Sequence, residues 1–163
     1  MRQSAIISRC GTYRYRLERD LERPGPVFAF FGVNGSTATA QVDDQTVRKW
    51  IGFTERNGGG RFIVGNAFAF RATDVRALGR ALDPVGPRNR SHLGKIIAEA
   101  DILVPCWGSR GKLPARLHAQ LDVLREQILA SGKPVKVWGL SQSGDPLHPL
   151  TLAYSLPLVE WVR

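Results

Sequence analysis

The sequence predicts one α/β domain over residues 1–163, a three-layer α/β/α arrangement around a mostly parallel sheet of about four core strands, with N-terminal edge strands beside it. Three observations predict it. Four short runs are almost continuously apolar, as strands covered on both faces are. Segments with helical spacing separate those runs, the alternation that parallel strands require. Clusters of Gly and Pro mark the junctions. At 163 residues and 43% hydrophobic, the chain can bury one core without a metal or a disulfide.

Taken in order, Tyr13-Arg-Tyr-Arg-Leu17 alternates, with its rings and Leu17 on one face and its arginines on the other, and predicts an edge or outer strand. Pro24-Gly-Pro26 is a turn, and Val27-Phe-Ala-Phe-Phe-Gly-Val33 is the first core strand. Asp43-Asp-Gln-Thr-Val47 puts two carboxylates at the positive end of a helix that runs to about Asn57, and Gly58-Gly-Gly60 stops it. Arg61-Phe-Ile-Val-Gly-Asn66 is the second core strand. A short helix starts near Thr73, Pro84-Val-Gly-Pro87 is a loop, and Asn89 or Ser91 caps a helix through Ala100. Ile102-Leu-Val-Pro-Cys-Trp107 is the third core strand. Apolar residues at 113, 117, 121, 124 and 128 share one face of a long helix over 113–131, which Gly132 and Pro134 end. Val135-Lys-Val-Trp-Gly-Leu140 is the fourth core strand, and 141–149 is polar and turn-rich. There is no internal repeat and no low-complexity tract.

The formal charge of +9 is unevenly distributed: residues 48–116 hold 13 Lys/Arg against 5 Asp/Glu, mostly arginine. Arginine chelates phosphate with two parallel donors and stacks on bases, so such an excess suits a nucleic acid or nucleotide partner. A genome rich in G and C enriches arginine as well, so charge alone assigns nothing. Cys10 and Cys106 lie far apart in unlike contexts, which fits a reducing cytoplasm. No stretch approaches the roughly 20 apolar residues of a membrane-spanning helix, and no signal-peptide core follows Met1. A cytoplasmic protein without membrane contact is expected; oligomeric state leaves no trace in the sequence.

Ligands of open α/β sheets bind at the carboxyl ends of strands, so polar residues directly after the apolar runs are the first candidates. Asn34 stands in Gly32-Val-Asn-Gly-Ser-Thr37, Asn66 follows Phe62-Ile-Val, and His148 lies in Gly144-Asp-Pro-Leu-His-Pro-Leu150. Asn34-Gly35 is also a common turn pair. Asn66 is the stronger candidate: a side-chain amide among apolar neighbours must find partners, and its paired donor and acceptor match a nucleobase edge. His148, stiffened by Pro149, can donate to charge developing on a carbonyl oxygen or relay a proton. Neighbouring candidates for ligand contact are Gly32, Gly35, Ser36, Thr37, Phe68, Trp107 and Pro149. Asp43 and Asp44 can orient a water or hold Mg²⁺, or simply cap the helix that follows. Arg48, Arg71, Arg88 and Arg110 are the candidate phosphate contacts. His92 and His118 fall in predicted helices, no Cys/His spacing suggests zinc, and no metal or cofactor is expected. The Gly32 motif lacks a phosphate-loop lysine, and Gly58-Gly-Gly60 precedes a strand, so neither a nucleoside triphosphatase nor a dehydrogenase is supported.

Asn34-Gly-Ser-Thr-Ala38, Asp43-Asp-Gln-Thr-Val-Arg48, Asn66-Ala-Phe-Ala-Phe-Arg-Ala-Thr-Asp74, Pro84-Val-Gly-Pro87, Trp107-Gly108 and the 144–150 motif, in that order, resemble the bacterial and phage family of domains of unknown function DUF1643. That family usually shows Asn-Pro-Ser-Thr, where Gly35 here replaces the proline. More distantly, the order strand–Gly-x-Asn, strand–Asn, Leu-Val-x-x-Trp-Gly and His-Pro is similar to the uracil-DNA glycosylase superfamily. This second resemblance implies a glycosylase-like fold and a hydrolase of N-glycosidic bonds: Asn34 positioning a water, Asn66 pairing with the base edge, His148 stabilising the departing base. Leu150-Thr-Leu152 stands where a serine-rich continuation is usual. The leading reading is therefore a nucleobase-recognising protein that hydrolyses a base–sugar bond in nucleic acid or a nucleotide; the alternative is a non-catalytic nucleic-acid or nucleotide binder, and a further one is a phage- or defence-associated enzyme on modified nucleotides that uses Asp43 and Asp44 with a metal.

Overall fold

The structure is a computed structural model and describes residues 1–161. Its centre is a five-stranded mixed sheet of order β1-β2-β4-β3-β5. Here β1 is Arg2–Ile7, β2 Arg14–Asp20, β3 Val27–Asn34, β4 Arg61–Phe68 and β5 Ile102–Pro105. The β3/β4 and β3/β5 pairs are parallel, but β1/β2 and β2/β4 are antiparallel. The sheet is therefore only half parallel, a correction to the expected mostly parallel one. The reason is local: β1 and β2 join through a short loop, a connection open only to antiparallel neighbours. That hairpin also moves β2 from the expected edge to an interior place, leaving β1 outermost.

Alternate residues of the central strands feed two separate cores, as the two-residue period of a strand demands. Phe28, Phe30, Phe62 and Val64 pack with Val47, Trp50 and Phe53 of α1, Gln45–Arg56. Ala29, Phe31 and Ile63 point the other way, toward Leu93 and Ile96 of α2, Asn89–Glu99, and Leu121, Leu124 and Ile128 of α3, His118–Leu129. Helices thus cover both faces of the sheet, and no helix of the described residues is long and apolar enough to cross a membrane.

Three expected elements differ. The long helix over 113–131 begins only at His118, because Pro114 denies a backbone donor and holds Leu113 extended, so residues 110–117 form two single 3₁₀ turns instead. The apolar face survives in both forms, which is why the spacing misled. The fourth core strand shrinks to β6, Lys136–Val137, which pairs with β7, Val159–Glu160, and touches β5 through one Leu103–Val135 bridge. Gly139 turns the chain at φ +139°, and Leu140 then pairs with Pro146. Neither Asn89 nor Ser91 caps α2: Asn89 is already helical and fully buried, and its amide donates to the carbonyls of Asn66 and Ala67 at 2.9 and 3.2 Å. After His148 the chain crosses α1, where the Lys49 ammonium binds the Leu152 carbonyl and lies over the Tyr154 ring.

Candidate functional site

β3, β4 and β5 end side by side, and beyond their carboxyl ends lies a cavity of about 500 Å³. Asn66 is the residue that most clearly belongs to it. In the β3/β4 register Gly32 faces Asn66, and a Cβ on Gly32 would stand 2.8 Å from the Asn66 Oδ1. Glycine there lets the amide lie across the neighbouring strand. The Asn66 side chain is 3% exposed, lines the cavity, and takes no hydrogen bond among the described residues. Its backbone carbonyl is held by Asn89, so the side chain is fixed at its root and unsatisfied at its tip. Its donor and acceptor are open to the cavity, where a ligand presenting a complementary edge can pair with both.

Asn34, the last residue of β3, does two things. Its Nδ2 donates to the carbonyls of Gly35 and Ala72 at 3.0 and 2.7 Å, which closes the loop, as the turn-pair reading expects. Its Oδ1 accepts nothing among the described residues, and the side chain lines the cavity. The amide is thereby oriented with an acceptor left over. Over the next residue lies Arg14, from the start of β2. A Cβ on Gly35 would meet the Arg14 Nε at 2.9 Å, so glycine lets this guanidinium lie directly over the loop, and a side chain there would move it. Arg14 is 3% exposed and lines the cavity; one Nη donates to Ala38, and Nε has no partner. Burial pushes its pKa down to about 10, against the pull of Asp44 and with a further push from Arg71 and Arg19, so it stays cationic at neutral pH.

His148 enters from the far end of the chain. Its Nδ1 accepts from the Leu150 amide at 3.2 Å, so the neutral ring carries its hydrogen on Nε2. Burial, and then the Lys112 ammonium, hold the imidazole below its ordinary pKa, although Asp44 pulls the other way. The loop bearing it is fastened to the exit of β5. Gly108, at φ +77°, passes so close that a Cβ there would be 3.3 Å from the His148 Cβ. Asp145, buried, accepts from Trp107 Nε1 at 3.2 Å, the Arg110 amide at 2.9 Å and Ser143 Oγ at 2.7 Å, and pairs with the Arg110 guanidinium. Burial alone would raise its pKa, but the Arg110 guanidinium and these donors outweigh it and keep the carboxylate ionised.

The cavity gathers Gly32, Asn34, Ser36, Asp44, Asn66, Trp107, Arg110 and His148 from the sequence candidates. The others fall elsewhere. Phe68 is fully buried in the core beneath α2 and α3: strand alternation would set it on the face of Asn66, but at the end of β4 its ring joins Ala67 in that core instead. Gly35 lies under Arg14, Thr37 is exposed outside the cavity, and Pro149 is the buried first residue of a 3₁₀ turn. Asp43 is paired with Arg19, Nη2 to Oδ1 2.8 Å, which is why it does not face the cavity with Asp44. Asp44 caps α1 by accepting from the Val47 amide at 2.9 Å. Among the phosphate candidates, Arg48 and Arg88 are exposed outside the cavity and Arg71 binds the Ser36 carbonyl. Arg110 is already neutralised by Asp145 and Asp122, so the expected phosphate contact meets two carboxylates instead. No group of three or more His, Cys, Asp or Glu that could hold a metal occurs among the described residues.

Arg14, Lys112 and Asp145 are the site residues that sequence reasoning passes over. Arg14 looked like the open face of an alternating strand, and Asp145 sat unmarked inside the 144–150 motif. The comparison with protein families matches residues 14–150 to the family described as protein of unknown function (DUF1643). No curated protein and no solved structure matches the chain.

Proposed function

The chain belongs to the DUF1643 family, and from that premise we propose that it recognises a nucleobase and hydrolyses the bond joining that base to its sugar. One observation carries the reading: the unpaired Asn66 amide near the end of β4, the spare Asn34 acceptor at the end of β3 and the His148 Nε2–H from the loop after Leu140 line one cavity. Asn66 offers a donor and an acceptor to a base edge, and Trp107 supplies an apolar wall. Breaking an N-glycosidic bond needs a fixed dipole for the departing base and a placed water more than a strong nucleophile. Asn34 Oδ1 holds the water by one hydrogen. The water oxygen adds to the anomeric carbon while the bonding pair leaves with the base, and the Asp44 carboxylate takes the water's proton. The neutral imidazole of His148 donates from Nε2 to the base oxygen on which the negative charge gathers.

The non-catalytic alternative has an observation of its own: both Nδ2 hydrogens of Asn34 are spent on closing its loop, the work of a turn residue. The two readings part in one assay. Labelled nucleosides, nucleotides, and single- and double-stranded oligonucleotides are incubated with the protein, and free base is quantified by chromatography. Base release that falls about 10²–10³-fold in His148→Ala, the usual cost of a lost oxyanion donor, supports the hydrolase. Binding across the panel with no release in any arm leaves the binding module.

A further inference from the structure

The Arg14 guanidinium has no carboxylate partner among the described residues, although Arg16, Arg19, Arg61, Arg76 and Arg110 all have one. It is nine-tenths buried and lines the cavity, and it leaves Nε without an acceptor. A cation taken out of water needs compensation, and the hydrogen bond to Ala38 supplies only part. Asp44 acts on it through space but does not reach hydrogen-bonding distance, being engaged at the start of α1. Lys112, exposed at the rim of the same cavity, also forms no ion pair among the described residues. With Arg110 neutralised, the cavity keeps two uncompensated cations against one carboxylate.

Resting on the reading of this cavity as a nucleobase site, we infer that its ligand carries an anionic group, a phosphate, which seats on the Arg14 guanidinium with Lys112 at the entrance. Guanidinium presents parallel donors that fit a phosphate's oxygens. Gly35 belongs to the device, since any Cβ there displaces the guanidinium. The phosphate can come from a free nucleotide or from a nucleic-acid strand that ends in or crosses the cavity. The shared chemistry is a base and a phosphate held together, the base on Asn66.

The test is calorimetric titration of wild type, Arg14→Met and Gly35→Ala with four probes: inorganic phosphate, a set of nucleosides, the matching 5′-monophosphates, and short single-stranded oligonucleotides. Methionine keeps the aliphatic volume while removing the buried charge, so the fold is expected to survive, and a thermal melt checks it. Wild type is expected to bind a monophosphate at least tenfold more tightly than its nucleoside, and both variants to lose that advantage. Tighter binding of the monophosphate than of the oligonucleotide names a free nucleotide as the source, and the reverse names a strand. Phosphate binding that depends on Arg14 with no added affinity from any base keeps the anion seat and removes the nucleobase reading. Monophosphates that bind no better than nucleosides, or equally well to Arg14→Met, overturn the inference, as does the absence of binding in every arm.

Discussion

Asp43→Ala separates structural from chemical use of the acidic pair that precedes α1. Arg19 is fully buried, and its Nε and Nη2 both reach the Asp43 Oδ1, at 2.9 and 2.8 Å. Removing one partner of a buried pair costs about 3–5 kcal/mol, because the other is left charged in a poor solvent. Two features place this case at the low end. The Asp43 side chain is 22% exposed, so water can approach, and Arg19 also donates to the carbonyls of Glu18 and Thr39. A loss of about 3 kcal/mol lowers Tm by roughly 6–12 °C in a domain of this size. Thermal and urea melts measure it. The double change Arg19→Met with Asp43→Leu is expected to recover most of the loss, since apolar replacement of a buried pair is commonly neutral. A single variant that melts within about 1 °C of wild type would refute the reasoning. If it also lost function, Asp43 would return as a catalytic residue.

Three further outcomes follow from the same geometry. Gly32→Ala is expected to weaken ligand binding as much as Asn66→Ala, because the new Cβ would stand 2.8 Å from the Asn66 Oδ1; titration of both variants checks it, and normal binding by Gly32→Ala contradicts it. His148 is expected to titrate below 6.5 in a nitrogen-detected NMR series with its hydrogen on Nε2, and Lys112→Gln to raise that midpoint. Since the folded imidazole binds its proton less readily than the unfolded one, its contribution to stability is whole above about 6.5 and is lost as the pH falls through the lower folded value. An exposed Cys10, whose thiol is held at about 7 by Ser8 and Thr12, is expected to react with a thiol reagent at neutral pH. Cys106 is buried, which pushes its thiol up to about 12, and should stay inert until the protein unfolds.

The central strands were legible because continuous apolar runs have few other uses, and β3 and β4 begin where the sequence puts them. The helix after Asp43-Asp44 was legible through its cap. Sheet polarity was not, since the residues of a strand do not record the direction of its neighbour. Apolar spacing at 113, 117 and 121 could not reveal the break at Pro114, because a 3₁₀ turn buries nearly the same face as a helix. Asn34, Asn66 and His148 were chosen by one rule, polarity at a strand exit, and all three line the cavity, but the rule describes only Asn34 and Asn66, since the strand expected before His148 ends at Val137. Arg14 escaped it, standing at the start of a strand that enters the cavity from the antiparallel side of the sheet. Phe68 was misplaced for another reason: alternation puts it on the face of Asn66, but at the last residue of β4 the pattern breaks and its ring joins Ala67 in the other core.

The most direct measurement is a side-chain NMR titration of the intact protein with nucleosides, following the Asn66 amide and the His148 ring nitrogens together. One compound is expected to shift both sets of resonances with a single dissociation constant, and Asn66→Ala to abolish the change at His148. Shifts confined to one of the two residues, or no shift at either across the set of bases, would contradict this expectation.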